Sequence, residues 1–245
     1  MCQNKEHNLN MKIYVDLHIH TALSPCGDRD MTPNNIVNMA KIKGLDAIAI
    51  TDHNSCENVL ACMEAGEKIG LLVIPGMELQ TREDVHVVCL FNDYEAAMNF
   101  QDFVYSKLPN LKNNESLFGE QLVFDSEDNV ISHNEKLLLT ASDLTLEDAY
   151  KKVNELNGAF IPAHIDRDCY GIISSLGFIP EDLSISTLEY SSKESLKKLT
   201  DSGIVDNDYN FIHSSDAHYL ENILEKQSEM DVDELKSINI INKLK

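Results

Sequence analysis

The residues of this chain best suited to chemistry are histidines and acids that recur in short pairings. Residues 16–28 read DLHIHTALSPCGD, so His18 and His20 stand one residue apart where an apolar run gives way to a loop. Thr51-Asp52-His53, Gly76-Met77-Glu78, Val85-His86, Ala163-His164 and Ser215-Asp216-Ala217-His218 follow. Imidazole nitrogens and carboxylate oxygens without paired thiolates suit a divalent cation such as Zn, Mn or Fe(II). Each pairing alone reads more readily as ordinary polar residues at a strand end. The set is different, because several separate strands would have to place an imidazole or carboxylate at one end by accident. Clustered Asp28, Glu78 and Asp216 would also repel, by roughly 4 kcal/mol per pair at about 4 Å and an effective dielectric near 20, and cations would remove that cost.

These side chains need elements that aim them. Lys12 to His18 alternates as a strand, and residues i and i+2 of a strand share a face, so His18 and His20 can grip one ion, with Tyr14 and Asp16 deeper on that face. Thr32-Pro33 opens a helix that Gly44 stops. Asp46 to Ile50 reads as a buried strand, Asn54 or Ser55 caps a helix ending at Gly70, and Leu71 to Leu79 reads as the third strand. Val85 to Phe91 follows after a link too short for a crossover helix, so the two strands should form an antiparallel hairpin that brings His86 beside Glu78. Helices are expected at Tyr94 to Lys107, Leu146 to Leu156, Glu194 to Leu199 and in the tail from Asp231; strands at Ala159 to His164, Ser184 to Tyr190 and Tyr209 to His213. Residues 108–144 are polar and irregular and read as an insertion or cap on a single domain spanning 1–245. Alternating strands and helices, about seven strands in all, favour a distorted α/β barrel over an open doubly wound sheet. No glycine-rich phosphate loop follows the first strand. In barrels, functional groups gather at the carboxyl ends of the strands.

Composition narrows the partners. The formal net charge of −21 argues against nucleic acid and against an anionic membrane surface, leaving a small phosphorylated substrate if some local feature reverses the field. The six cysteines, Cys2, Cys26, Cys56, Cys62, Cys89 and Cys169, form no CxxC pair. Scattered thiols, with no secretory segment and no long apolar run, suggest a cytoplasmic protein.

With HIH at 18–20, TDH at 51–53, GME at 76–78, His86, AH at 163–164 and SDAH at 215–218, the chain resembles the PHP (polymerase and histidinol phosphatase) family of metal-dependent phosphoesterases. The resemblance implies a (β/α)7 TIM-like barrel with two to three divalent ions at its mouth. It implies one ion held by His18, His20, Glu78 and Asp216, a second by Glu78, His86 and His164, and a third by Asp28, His53 and His218. The loop ligand stays open, because many relatives carry a shorter SDG loop; Cys26 and Asp30 compete with Asp28. Glu78, Asp216 and His218 would be central to catalysis. Arg167, with Lys193 as a weaker choice, would contact a substrate phosphate. Asp52 and His213 would orient ligands. His133 reads as a solvated residue of the insertion and His7 as part of a loose terminus.

The expected activity is hydrolysis of a small phosphate ester by hydroxide shared between ions, without a covalent intermediate on Ser24 or Cys26. Alternatives are a 3′–5′ exonuclease-like module, a metal hydrolase acting on C–N bonds, and a non-catalytic regulator.

Overall fold

Residues 11–245 are described by the structure, a computed structural model; Cys2 and His7 lie outside them. The elements run β1 (Met11–Ile19), α1 (Pro33–Ile42), β2 (Ala47–Ile50), α2 (Val59–Ile69), β3 (Leu72–Gln80), β4 (His86–Leu90), α3 (Tyr94–Tyr105), α4 (Glu115–Phe118), β5 (Leu122–Phe124), β6 (Val130–His133), α5 (Leu146–Glu155), β7 (Ala159–Pro162), α6 (Ile172–Leu176), β8 (Thr187–Tyr190), α7 (Lys193–Asp201), β9 (Asn210–His213), β10 (Glu229–Val232) and α8 (Ser237–Leu244).

Six strands pair in the order β10-β1-β2-β3-β4-β7, and β8 pairs in parallel with β9. Two backbone contacts carry the curl onward. Ile165 N–H donates to the Glu189 carbonyl (3.0 Å), joining β7 to β8, and His20 N–H donates to the Ala217 carbonyl (3.0 Å), joining the end of β9 to β1. The ring β1-β2-β3-β4-β7-β8-β9 is the distorted α/β barrel. The distortion lies in β4, which runs antiparallel to both β3 and β7. The short link from Gln80 to Asp84 forces that reversal, and the hairpin register sets His86 opposite Gln80. β10, a short and mostly exposed strand, pairs antiparallel with the start of β1 and was not expected.

The interior is apolar at its base. Ile13, Val15 and Leu17 pack with Ala49, Ile74, Val88, Ile161 and Ile212, and Ile240, Ile241 and Leu244 of α8 plug that end. Ile19 instead packs outward with α1 and α2. A register irregularity between Asp16 and Ile19 explains the switch. The bulge breaks the strand alternation, so His18 follows Leu17 onto the inner side. The expected shared face of Asp16 with the histidines is therefore wrong. Asp16 accepts from the Ser215 N–H (3.0 Å) and the Leu224 N–H (2.9 Å), anchoring the loop that carries Asp216.

The start of α2 also differs from expectation. Asn58, not Asn54 or Ser55, is its N-cap. Asn54 has φ of 50° and donates from its amide to the carbonyls of Leu138 (2.8 Å) and Thr140 (2.9 Å). Residues 108–144 are stitched to the barrel by such contacts. Leu122 N–H donates to the Ala22 carbonyl (2.9 Å), Phe124 N–H to Asn58 Oδ1 (2.8 Å), and Leu122 and Phe124 pack on Ala22. The insertion braces the loops after β1 and β2. Among the described residues no helix is long and apolar enough to cross a membrane.

Candidate metal centre

The strand ends converge on the Glu78 carboxylate at the tip of the β3–β4 hairpin. Its Oε1 lies 2.8 Å from His86 Nδ1, 3.2 Å from His164 Nε2 and 3.3 Å from His18 Nε2. Its Oε2 lies 2.8 Å from His53 Nδ1 and 3.5 Å from His20 Nε2. Asp216 Oδ1 stands 3.0 Å from His20 Nε2 and 3.3 Å from His18 Nε2. His164 and Asp216 both take left-handed backbone angles, φ 31° and 51°, which β-carbon sterics disfavour and the surroundings must enforce.

Among the described residues, four groups have donor atoms within 4.8 Å of one another, and three of them belong to this centre: His18, His20, Glu78 and Asp216; His53, Glu78 and His86; and His20, His53 and His218; the fourth is Glu115, Glu120 and His133. His164 reaches the centre through Glu78 and packs edge-on against the His86 ring (centroids 5.3 Å apart). Asp28 joins none of these groups, contrary to expectation. Its Oδ1 accepts from the Asp30 N–H (2.9 Å), closing a turn of its own, while its N–H donates to the His218 carbonyl (2.9 Å). Cys26 joins none of these groups either; the neighbouring His218 and His53 bring its thiol down to about 7 against burial.

A second layer holds the rings. His18 Nδ1–H donates to Glu189 (2.9 Å), which turns Nε2 toward the centre. Glu189 also accepts from the His164 N–H (3.2 Å). Its role was missed; the available signal was one acid inside the apolar strand TLEY. His20 Nδ1 meets Ser24 Oγ (2.9 Å), and Ser24 Oγ–H donates to Asp52 Oδ1 (2.7 Å), so Asp52 acts on His20 through Ser24. His213 does not orient a ligand: its Nε2 meets the Ser191 carbonyl (3.2 Å).

The charges oppose one another. Burial works to raise the Glu78 carboxyl, but the imidazoles of His86, His53 and His18 outweigh it and hold it well below its ordinary value. Asp216 is likewise held down against burial, chiefly by His18 and His20. His18 is pushed the other way by burial, yet Glu189, Asp216 and Glu78 raise it well above an ordinary histidine. His53 is also raised well above, by Glu78 and Cys26 against burial. His20 is lowered well below by burial and the nearby His218 and His53.

Divalent cations fit these residues. Glu78 Oε2 and Asp216 Oδ1 are buried without a hydrogen-bond partner, and His18 Nε2 and His20 Nε2 face each other at 3.2 Å. Buried acceptors left unpaired are costly, and a cation would satisfy both oxygens and the facing nitrogens.

The PHP domain family's sequence profile matches residues 16–165. The chain belongs to the PHP domain family. Two relatives align over part of this PHP domain. A 5′-3′ exoribonuclease of Salmonella typhimurium is 34% identical over 86 residues, 33% of this chain and 28% of that one. A phosphoribosyl 1,2-cyclic phosphate 1,2-diphosphodiesterase of Eggerthella lenta is 31% identical over 64 residues, 26% of this chain and 23% of that one. In structure, the lesion-specific endonuclease Q of Pyrococcus furiosus superposes with a TM-score of 0.69 at 19% identity, over 96% of this chain and 56% of that one. An endonuclease Q is also known in complex with a 27-mer duplex carrying an abasic lesion at the active site. The matched segments span less than a third of the first two relatives, and the chain spans 56% of the Pyrococcus furiosus endonuclease.

These relatives overturn the expectation that nucleic acid is disfavoured as a partner. Net charge describes the whole surface, whereas a phosphate meets only the local field. An acidic exterior with a cation-binding mouth does not exclude a nucleic-acid phosphate.

Arg167 is exposed at the mouth, with its Nε donating to Ser191 Oγ (3.0 Å) and its Nη1 to Asp216 Oδ2 (2.5 Å). Lys193 is exposed as the first residue of α7. His133 lies on the insertion, 3.1 Å from Glu115.

Proposed function

We propose that this PHP-domain chain is a metal-dependent phosphoesterase that hydrolyses a small phosphate ester, such as a nucleotide or nucleoside bisphosphate, with water as nucleophile. The observation that supports this reading most is Glu78. One buried carboxylate touches five imidazoles and keeps an oxygen without a hydrogen-bond partner. His18, His20, Glu78 and Asp216 would hold one ion; Glu78, His86 and His164 a second; and His53 with His218 an outer one. Bound there, divalent cations such as Zn, Mn or Fe lower the pKa of water and stabilise charge on phosphoryl and leaving oxygens.

The protein's own residues divide the remaining work. Glu78 and Asp216 supply negative charge where cations crowd, and Glu189 and Asp52 fix the histidine rings. His218 is partly exposed and faces the opening. Arg167 can turn its fork from Asp216 to a substrate phosphate, because the guanidinium already stands at the mouth. Lys193 takes no part in this reading. Ser24 is committed to His20 and Asp52, which disfavours it as a covalent nucleophile.

A second reading, cleavage of nucleic acid, is favoured by Tyr170. The residue is 47% exposed and its ring stacks on His86 (centroids 4.6 Å apart, planes at 10°), which leaves an aromatic face for a base. Turnover with Zn, Mn or Fe(II) on p-nitrophenyl phosphate, nucleotides, nucleoside bisphosphates, single-stranded RNA and DNA, and amides tests both. Hydrolysis of the small esters is expected. Cleavage of oligonucleotides alone would replace this reading with the second. Turnover of amides alone, or of nothing, would refute both.

A further inference from the structure

The loop from His164 to Gly171 follows β7 and is held tightly at both ends. It leaves the strand at His164, whose φ of 31° is already left-handed, and turns at once, with Arg167 N–H donating to the His164 carbonyl (3.0 Å). It returns at Tyr170, whose φ of 59° is left-handed as well and whose carbonyl accepts from the His86 N–H (2.8 Å). Gly171 completes the return; a β-carbon there would stand 3.0 Å from the His164 carbonyl oxygen. β-carbon sterics disfavour a left-handed tyrosine, so the surrounding bonds hold this side chain in place against strain.

Two side chains of this loop reach different members of the centre. Arg167 Nη1 donates to Asp216 Oδ2 (2.5 Å), and the Tyr170 ring lies nearly parallel on His86, centroids 4.6 Å apart. His86 is itself buried and 2.8 Å from Glu78 Oε1. One face of the tyrosine is thus spent on a ring of the centre. The residue stays 47% exposed, so its other face is open to solvent. Phe118, Phe178 and Tyr219 are exposed too, but among the described residues only the Tyr170 ring packs on a histidine of the centre. A phosphate held by cations and Arg167 brings the rest of its ester beside that open face. An aliphatic group gains little there, whereas a planar aromatic group stacks.

We propose that Tyr170 is the specificity-determining residue of this chain: its open face stacks the base of a nucleoside phosphate whose phosphate sits at the metal centre, so that base-bearing esters are selected over sugar and glycerol phosphates. The inference rests on the phosphoesterase reading above and deepens it by naming the group that the ester carries. The tyrosine forms no bond and moves no proton. Every base has a face to offer, so stacking selects for a base without reading which one. A free nucleotide and the end of a single strand share this chemistry. The rival role for Tyr170, packing that only steadies His86, would act on every ester alike.

Selectivity reads this directly. In metal-loaded protein, the ratio of kcat/KM for adenosine 5′-monophosphate to that for ribose 5-phosphate should fall about 5- to 140-fold in Tyr170→Leu, chiefly through KM, and be retained in Tyr170→Phe. An unchanged ratio in Tyr170→Leu, or an equal loss for both esters, overturns the proposal and leaves the phosphoesterase reading standing. A second measurement needs neither turnover nor the leucine variant. The chain has no tryptophan, so Tyr170→Trp places a single indole at this position. Adenosine 5′-monophosphate is expected to quench its fluorescence saturably, and ribose 5-phosphate is not. Quenching by neither, or by both alike, refutes the base subsite. A short oligoadenylate titrated beside them separates the two sources, the tighter quencher being the ligand the subsite fits. Should no phosphate ester be hydrolysed, the reading above fails, and the quenching alone decides whether Tyr170 takes a base.

Discussion

Replacing Glu78 by glutamine tests the electrostatic construction of the centre most directly. The change keeps the shape and removes one negative charge from a buried position that touches His18, His20, His53, His86 and His164 at 2.8–3.5 Å. In the metal-free protein, His18 and His53 hold protons well above the usual histidine range. At about 3 Å and an effective dielectric near 20, each such pair attracts by roughly 5 kcal/mol. Desolvation offsets most of that, and breaking a buried pair costs about 3–5 kcal/mol net. For a chain of this size, that lowers Tm by roughly 6–20 °C. The depressed Glu78 carboxyl contributes stability above its unfolded value of about 4.3 and loses it as pH falls through its lower folded value. The raised His18 and His53 contribute below about 6.5 and lose their share as pH rises through their higher folded values. The E78Q deficit, measured by thermal melting with chelator present, should therefore be large at pH 6 and smaller at pH 9. Wild-type melting at pH 6, or a deficit that widens toward pH 9, would refute the reasoning.

Three further outcomes are expected. Cation binding near pH 7 should release protons from His18 and His53, so calorimetric enthalpies should vary with the buffer's ionisation enthalpy and affinity should rise with pH; buffer-independent enthalpies would count against it. Asp52→Ala should weaken cation affinity about 10- to 100-fold with the fold intact, because Ser24 would lose its acceptor and His20 its orientation; equilibrium dialysis measures this, and unchanged affinity would contradict it. Arg167→Ala should raise KM for a phosphate ester without reducing bound metal, whereas metal loss would make Arg167 a brace for Asp216 alone.

Much of this architecture was legible because it is local. HIH, TDH and SDAH sit where strands end, and the five-residue link before Val85 dictates a hairpin, which places His86 on Glu78. What escaped depends on backbone detail that spacing does not carry. A bulge between Asp16 and Ile19 removes Asp16 from the histidine face. The loop after β1 bonds the Asp28 carboxylate back to the Asp30 N–H, so Asp28 joins none of the ligand groups. Glu189 was illegible as an orienter because a single acid in a short strand has no periodic partner; only the closure of β8 beside β7 brings it to His18 and His164.

The partner expectation failed for a reason that also bears on specificity. Acid outnumbers base across the exposed surface, and some of it pairs with lysine, as Glu194 with Lys198 and Asp201 with Lys197 on α7. Exposed pairs of this kind are screened within about 8 Å at physiological salt and hardly influence a phosphate at the mouth. The local balance there is set by Glu78, Asp216 and Glu189 against six neighbouring imidazoles and Arg167, before any cation is added. Loading that mouth with divalent cations makes it attractive to any phosphate, small or polymeric, so charge does not select the substrate. Selection falls to the walls: the exposed ring of Tyr170 on one side, and on the other the insertion stitched to the loops of His20 and His53.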